Sequence, residues 1–160
     1  MKVLFFSLVF IFSISLLHGQ SLETFEIEMN GEKSEITQTI ESQWTGLYIQ
    51  TRGKKRWQLT IAAENATYLE QIVENPRESK FDWDLTQTQA ITWGVLTKDG
   101  QIYYEKIDEY IDGQMLSYDA MVFIYKSEND EKPHRQHLYE KDGQIYLGGA
   151  EKVQAQVSND

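Results

Sequence analysis

Three sets of side chains in this chain have the types and spacing to do chemistry. The first is His134 and His137, in the stretch His-Arg-Gln-His. On a helix, imidazoles three residues apart share a face and make half of a metal site. On a strand they point to opposite faces. The stretch follows Pro133 and reads as a strand, so no metal site is expected from this pair. The second set is Asp82 and Asp84, which flank Trp83. On a strand both carboxylates would lie on one face, about 7 Å apart. That arrangement suits acid–base work on a glycoside or two ligands of a calcium ion. The simpler reading is the solvated face of a strand whose other face carries Phe81, Trp83 and Leu85. The third set is aromatic: Tyr48, Trp57, Trp93, Tyr103 and Tyr125. Trp and Tyr join an apolar body to a polar tip, so they suit ligand walls as well as cores. These five are the candidates for lining an apolar cavity, with an ordinary packed core as the alternative.

Composition removes several other chemistries. The chain has no cysteine, which excludes thiol catalysis, thiolate metal sites and iron–sulfur clusters. Its formal net charge is −10, which disfavours nucleic acid and anionic lipid as partners. The densest basic run, Arg52–Arg56, reads as a solvated hairpin tip. No nucleophile elbow, zinc-protease, calcium-loop or phosphate-loop pattern occurs. The expectation is a protein that is not an enzyme and needs no cofactor.

The elements that would position these residues begin after an apolar leader. Residues 1–20 carry one cation, Lys2, then a run from Val3 to Phe12 that is apolar but for Ser7, extends to Leu17 and ends at Gly19. This reads as a secretory signal peptide cleaved near Gly19 or Gln20; the alternative is an uncleaved anchor. A secreted or periplasmic location follows, and the lack of cysteine favours a bacterial exported protein. No transmembrane segment is expected in the mature chain.

From Phe25 onward, period-two alternation dominates. Phe25, Ile27 and Met29 alternate with glutamates, and Asn30–Gly31 marks a hairpin. The return over Ser34–Ile40 reads as a strand, with a short helix as the alternative. The run Trp44–Thr51 reads as the next strand. Trp57, Leu59 and Ile61 share one face of another. Ala120–Tyr125 is apolar on both faces and so reads as a doubly covered central strand. Gln101–Gly113 reads as a strand, but Tyr103, Ile107, Tyr110 and Ile111 also fit a helix with Gly113 as its cap. The hexapeptide Lys-Asp-Gly-Gln-Ile-Tyr occurs twice, at 98–103 and 141–146. Asp-Gly is a preferred two-residue hairpin turn, so the repeat reads as one turn used twice. With that turn, Leu96 should face Tyr103, Tyr139 should face Tyr146 and Leu138 should face Leu147. About eight to ten short strands at hairpin spacing predict an all-β, antiparallel up-and-down meander, closed as a small barrel or folded as a sandwich. The organisation is a leader over 1–20, a hairpin or short helix over 21–43, a barrel-like domain over 44–153 and a frayed tail over 154–160.

Trp44 and Gly46 open the first long strand in the stretch Gln-Trp-Thr-Gly-Leu-Tyr. With the hairpin order that follows, this resembles the lipocalin-like (calycin) group of secreted β-barrels, over roughly residues 44–149. The order Trp-x-Gly departs from the group's Gly-x-Trp. The resemblance implies an internal cavity for a small apolar or amphipathic ligand. Two other functions stay open: a structural or protein-interaction module of the bacterial cell envelope, and a carboxylate-dependent enzyme acting on glycans.

Overall fold

A computed structural model describes residues 22–63, 65–75, 77 and 81–154. The leader over 1–20 and most of the expected tail, 155–160, lie outside the described residues. No described helix is long and apolar enough to cross a membrane.

Among the described residues, twelve antiparallel strands form one sheet. They are β1 (Phe25–Met29), β2 (Glu32–Thr37), β3 (Gly46–Arg52), β4 (Lys55–Ile61), β5 (Ala66–Ile72), β6 (Gln89–Lys98), β7 (Gln101–Ile102), β8 (Tyr104–Ile111), β9 (Gln114–Ser127), β10 (His134–Lys141), β11 (Gln144–Leu147) and β12 (Ala150–Lys152). Eight of them pair in a closed cycle, β3–β4–β5–β6–β9–β10–β11–β12 and back to β3. Eight strands enclose an interior just wide enough for side chains or one small ligand.

Two strands work in two places, and this makes the barrel more than a simple meander. Strand β6 pairs with β5 and β9 over its first part. Farther on it pairs with β2, through Ile36↔Leu96 and Thr37↔Val95. The 14-residue β9 pairs with β6 at its C-terminal end, and its N-terminal half runs beyond the barrel as a hairpin with β8. Alternation along β9 explains the apolar run on both faces. Met121, Phe123 and Tyr125 point into the barrel, while Val122 and Ile124 lie under the β1–β2 hairpin with Ile36. Gly94 permits that second layer, because the Ile36 side chain occupies the place its Cβ would take.

Four hairpins turn on Asn30–Gly31, Asp99–Gly100, Asp112–Gly113 and Asp142–Gly143. Each first residue has φ between 50 and 53°, and each glycine between 74 and 83°. This is the type I′ geometry whose twist matches the flanking strands. The hexapeptide repeat is therefore a turn used twice. Tyr139↔Tyr146 and Leu138↔Leu147 pair as expected, and the Tyr103 amide donates to the Leu96 carbonyl at 2.9 Å. Strands β7 and β8 run over most of Gln101–Ile111, and Gly113 ends no helix; it is half of the β8–β9 turn. Ser34–Thr37 is the return strand of a hairpin. Trp44 is not in a strand: it ends a 3-10 turn, Ser42–Trp44, and β3 begins at Gly46.

Candidate functional site

Three of the five aromatic candidates come together inside the barrel. Trp93 on β6 stacks on Phe123 of β9, with ring centroids 5.6 Å apart. Phe123 meets Tyr125 at 6.0 Å, Tyr125 meets Tyr68 of β5 at 5.9 Å, and Tyr68 meets Trp57 of β4 at 6.2 Å. The result is a continuous run of five rings, Trp93–Phe123–Tyr125–Tyr68–Trp57. Trp93 and Phe123 are fully buried, and Tyr125 nearly so. Trp57 and Tyr68 are only half-buried. Both point into the barrel from its wall, so their exposure is at its mouth.

The remaining two candidates lie apart from this run. Tyr48 is buried in the same core, but its hydroxyl donates to the Trp44 carbonyl at 2.7 Å and joins it to the turn before β3. Tyr103 lies outside the barrel in the second layer, with the Lys98 ammonium 3.7 Å from its ring centroid.

Polar groups gather where the ring run reaches solvent. The Tyr68 hydroxyl donates to Glu70 at 3.0 Å, and Lys55 donates to the other Glu70 oxygen at 2.8 Å. His134 stacks on Tyr125 with centroids 4.9 Å apart, and its Nε2 lies 3.2 Å from Asp130. Burial pushes the Tyr125 phenol up to about 12, with the Asp130 and Glu70 carboxylates adding to the effect. Burial and Glu70 raise Tyr68 in the same way. Both phenols therefore remain hydrogen-bond donors at ordinary pH. Burial works to raise Asp130, but hydrogen bonds from Ser127 and the His134 contact outweigh it and hold the carboxyl below its usual range.

At the inner end of the run, the Trp93 indole N–H is buried and has no acceptor, and the Thr97 hydroxyl four residues along β6 is in the same condition. A buried donor left unpaired costs about 1–3 kcal/mol. The two groups share the inward face of the strand.

No family model, curated protein or solved structure matches this chain. The all-β antiparallel sheet is consistent with a β-barrel-like fold, and no lipocalin identification follows from it.

The other two candidate sets rearrange. Asp82 and Asp84 are not on a strand: 81–84 is coil, followed by a 3-10 turn over Leu85–Gln87. Asp84 caps that turn, accepting from the Thr86 amide at 3.1 Å and hydroxyl at 2.5 Å and from Gln87 at 2.8 Å. These bonds lower its pKa, the Thr86 side chain most strongly. Local hydrogen bonding of this kind competes with the strand that alternation alone suggests. Phe81 and Trp83 pack edge to face at 5.0 Å, and Arg56 sits over Phe81. His134 and His137 do lie on opposite faces of β10. Among the described residues, no three His, Asp or Glu side chains converge closely enough to hold a metal ion.

His137 takes part in a cross-strand arrangement on the outer face. Glu105 of β8 reaches over Ala120 of β9, which is paired with it, to Arg135 at 2.6 Å and His137 at 3.0 Å on β10. The hydrogen bond from His137 lowers the Glu105 pKa most, and the hydrogen bond and charge of Arg135 lower it further. A depressed carboxylate contributes stability above its unfolded pKa, and that contribution is lost as pH falls through the folded value. Glu105→Gln is therefore expected to flatten the acid side of the stability-versus-pH curve below about pH 4.5. Denaturant titrations at a series of acid pH values measure this, and an unchanged acid limb would refute it.

Proposed function

We propose that this protein is an exported, non-enzymatic β-barrel that binds a small apolar or amphipathic ligand along the ring run. The observation that supports this most is the run itself. Five stacked or tilted rings lead from the half-exposed Trp57 and Tyr68 to a buried indole N–H that lacks an acceptor. Stacked rings offer an apolar body a surface, and an orphaned donor offers a ligand oxygen or nitrogen a place to orient. The mouth holds two carboxylates, Glu70 and Asp130, against one ammonium, Lys55. In a chain of net charge −10, that balance favours a neutral or cationic head over an anionic one.

Fluorescence titration with a neutral and an anionic lipophilic dye, together with native mass spectrometry of the purified protein, tests the proposal. The neutral dye should bind more tightly. Trp57→Ala should weaken its binding about tenfold, the loss of one ring contact of roughly 1.4 kcal/mol. Tyr103→Ala, in the outer layer, should leave binding unchanged. Absence of both a dye response and a co-purified mass in the wild-type protein would overturn the proposal.

A separate observation favours a second reading, an interaction module of the cell envelope. The β8–β9 hairpin extends past the barrel with Tyr104, Tyr110 and Met115 largely exposed.

A further inference from the structure

Strand β8 is the last in the sheet order, and among the described residues its outer edge pairs with no other strand. It is eight residues long, contains neither proline nor glycine, and alternates exposed with half-buried positions. A free edge of this kind is a template for another strand unless charge or shape prevents it. The side chains along it decide what fits.

We infer that β8 pairs antiparallel with β8 of a second copy of this chain, centred on Ile107. A two-fold axis perpendicular to a sheet keeps the two faces distinct, so residues that pair across it must have the same parity. Centred on Ile107, Lys106 lies opposite Asp108 of the second copy and Tyr104 opposite its Tyr110, each contact occurring twice. Glu105 lies opposite Glu109 of the second copy, but both carboxylates are already answered in their own chain. Arg135 and His137 hold Glu105, and Lys141 holds Glu109. Neighbouring same-parity registers are worse. One centred on Lys106 sets two ammonium groups face to face, and one centred on Asp108 does the same with two carboxylates.

The other end strand makes the comparison. Strand β1 paired with itself about Ile27 would set Glu26 against Glu28, with only Lys33 nearby as a counter-charge. The chain thus carries a repulsive edge at β1 and a self-complementary one at β8. The pairing also gives the exposed Tyr104 and Tyr110 a cross-strand partner each, the kind of aromatic pair that stabilises a sheet.

Sedimentation or light scattering of the purified protein from low to high micromolar concentration tests this. The wild type should pass from monomer to dimer. Lys106→Asp and Asp108→Lys should each weaken the dimer about tenfold or more, because each sets like charges opposite one another twice. The double variant, carrying both changes, should recover it. Lys106 also pairs with Asp119 in its own chain, but both side chains are more than 60 % exposed, so that loss should leave the fold intact; circular dichroism and thermal melts check this. A wild type that stays monomeric throughout, a dimer indifferent to Lys106→Asp, or a double variant that fails to recover would each overturn the inference.

Discussion

Phe123→Ala is expected to lower the free energy of unfolding by about 3–5 kcal/mol. Phe123 is fully buried on β9 and is the second ring of the run, touching Trp93 on one side and Tyr125 on the other. Truncation removes its transfer free energy and leaves a hole that neighbours on a closed barrel cannot collapse into, because each is fixed by strands on both sides. Urea or guanidinium denaturation followed by circular dichroism gives the value. The same variant should change the emission of Trp93, whose indole loses its stacking partner. A loss below about 1 kcal/mol, ordinary for a point change anywhere in a protein, would mean that Phe123 is not at the packed centre.

Gly94→Val is expected to cost about 1–3 kcal/mol through overpacking, and to do so locally. A Cβ at this position would meet Ile36 Cβ at 2.9 Å and the Thr37 carbonyl oxygen at 3.0 Å. The Thr37 oxygen belongs to backbone that is itself registered on β6, so it cannot swing aside as a side-chain tip does. Relief requires the β1–β2 hairpin to lift from the barrel. Hydrogen exchange should therefore show faster exchange in β1 and β2 while β3–β5 and β9–β11 stay protected. Uniform loss of protection would show that the outer layer and the barrel are one cooperative unit.

The parts of this fold legible in the sequence were those with local causes. Asx-Gly pairs located the turns because only residues that tolerate positive φ fit type I′ geometry. Alternation placed Trp57, Leu59 and Ile61 on one face, and the doubly apolar Ala120–Tyr125 correctly marked a strand covered on both sides. One local signal was ambiguous and one misled. The spacing of Tyr103, Ile107, Tyr110 and Ile111 also fits a helix capped by Gly113, but β8 is a strand, as its residue types suggest, and Gly113 is part of another hairpin tip. Strict alternation in Phe-Asp-Trp-Asp-Leu-Thr suggested a strand, but Asp84 spends its oxygens on the turn that follows it.

The candidate site was only partly legible, for a non-local reason. Trp57, Trp93 and Tyr125 stood out by residue type. Tyr68 and Phe123, which connect them, did not, because contact among them depends on which strands the barrel brings side by side. His134 became part of the mouth only through the pairing of β10 with β9, where it lies opposite Tyr125. That register is set across the loop between Ser127 and His134, and period-two patterning does not encode it. Tyr103 lies in the outer layer because it faces Leu96, which is on the opposite face of β6 from Trp93 and Val95.

The seam between β3 and β12 has a consequence for how the chain comes to be folded. It is narrow: Glu151 pairs with Ile49 and Lys152 with Tyr48, and the Val153 amide donates to the Leu47 carbonyl at 2.7 Å. These contacts join residues about a hundred positions apart, and loop closure of that span is slow compared with forming any of the local hairpins. As the polypeptide is made, the hairpins can form in order, but the cylinder cannot close until its final strand has emerged. Until then the chain remains an open ribbon with a sticky rim, in a form that chaperones can still hold.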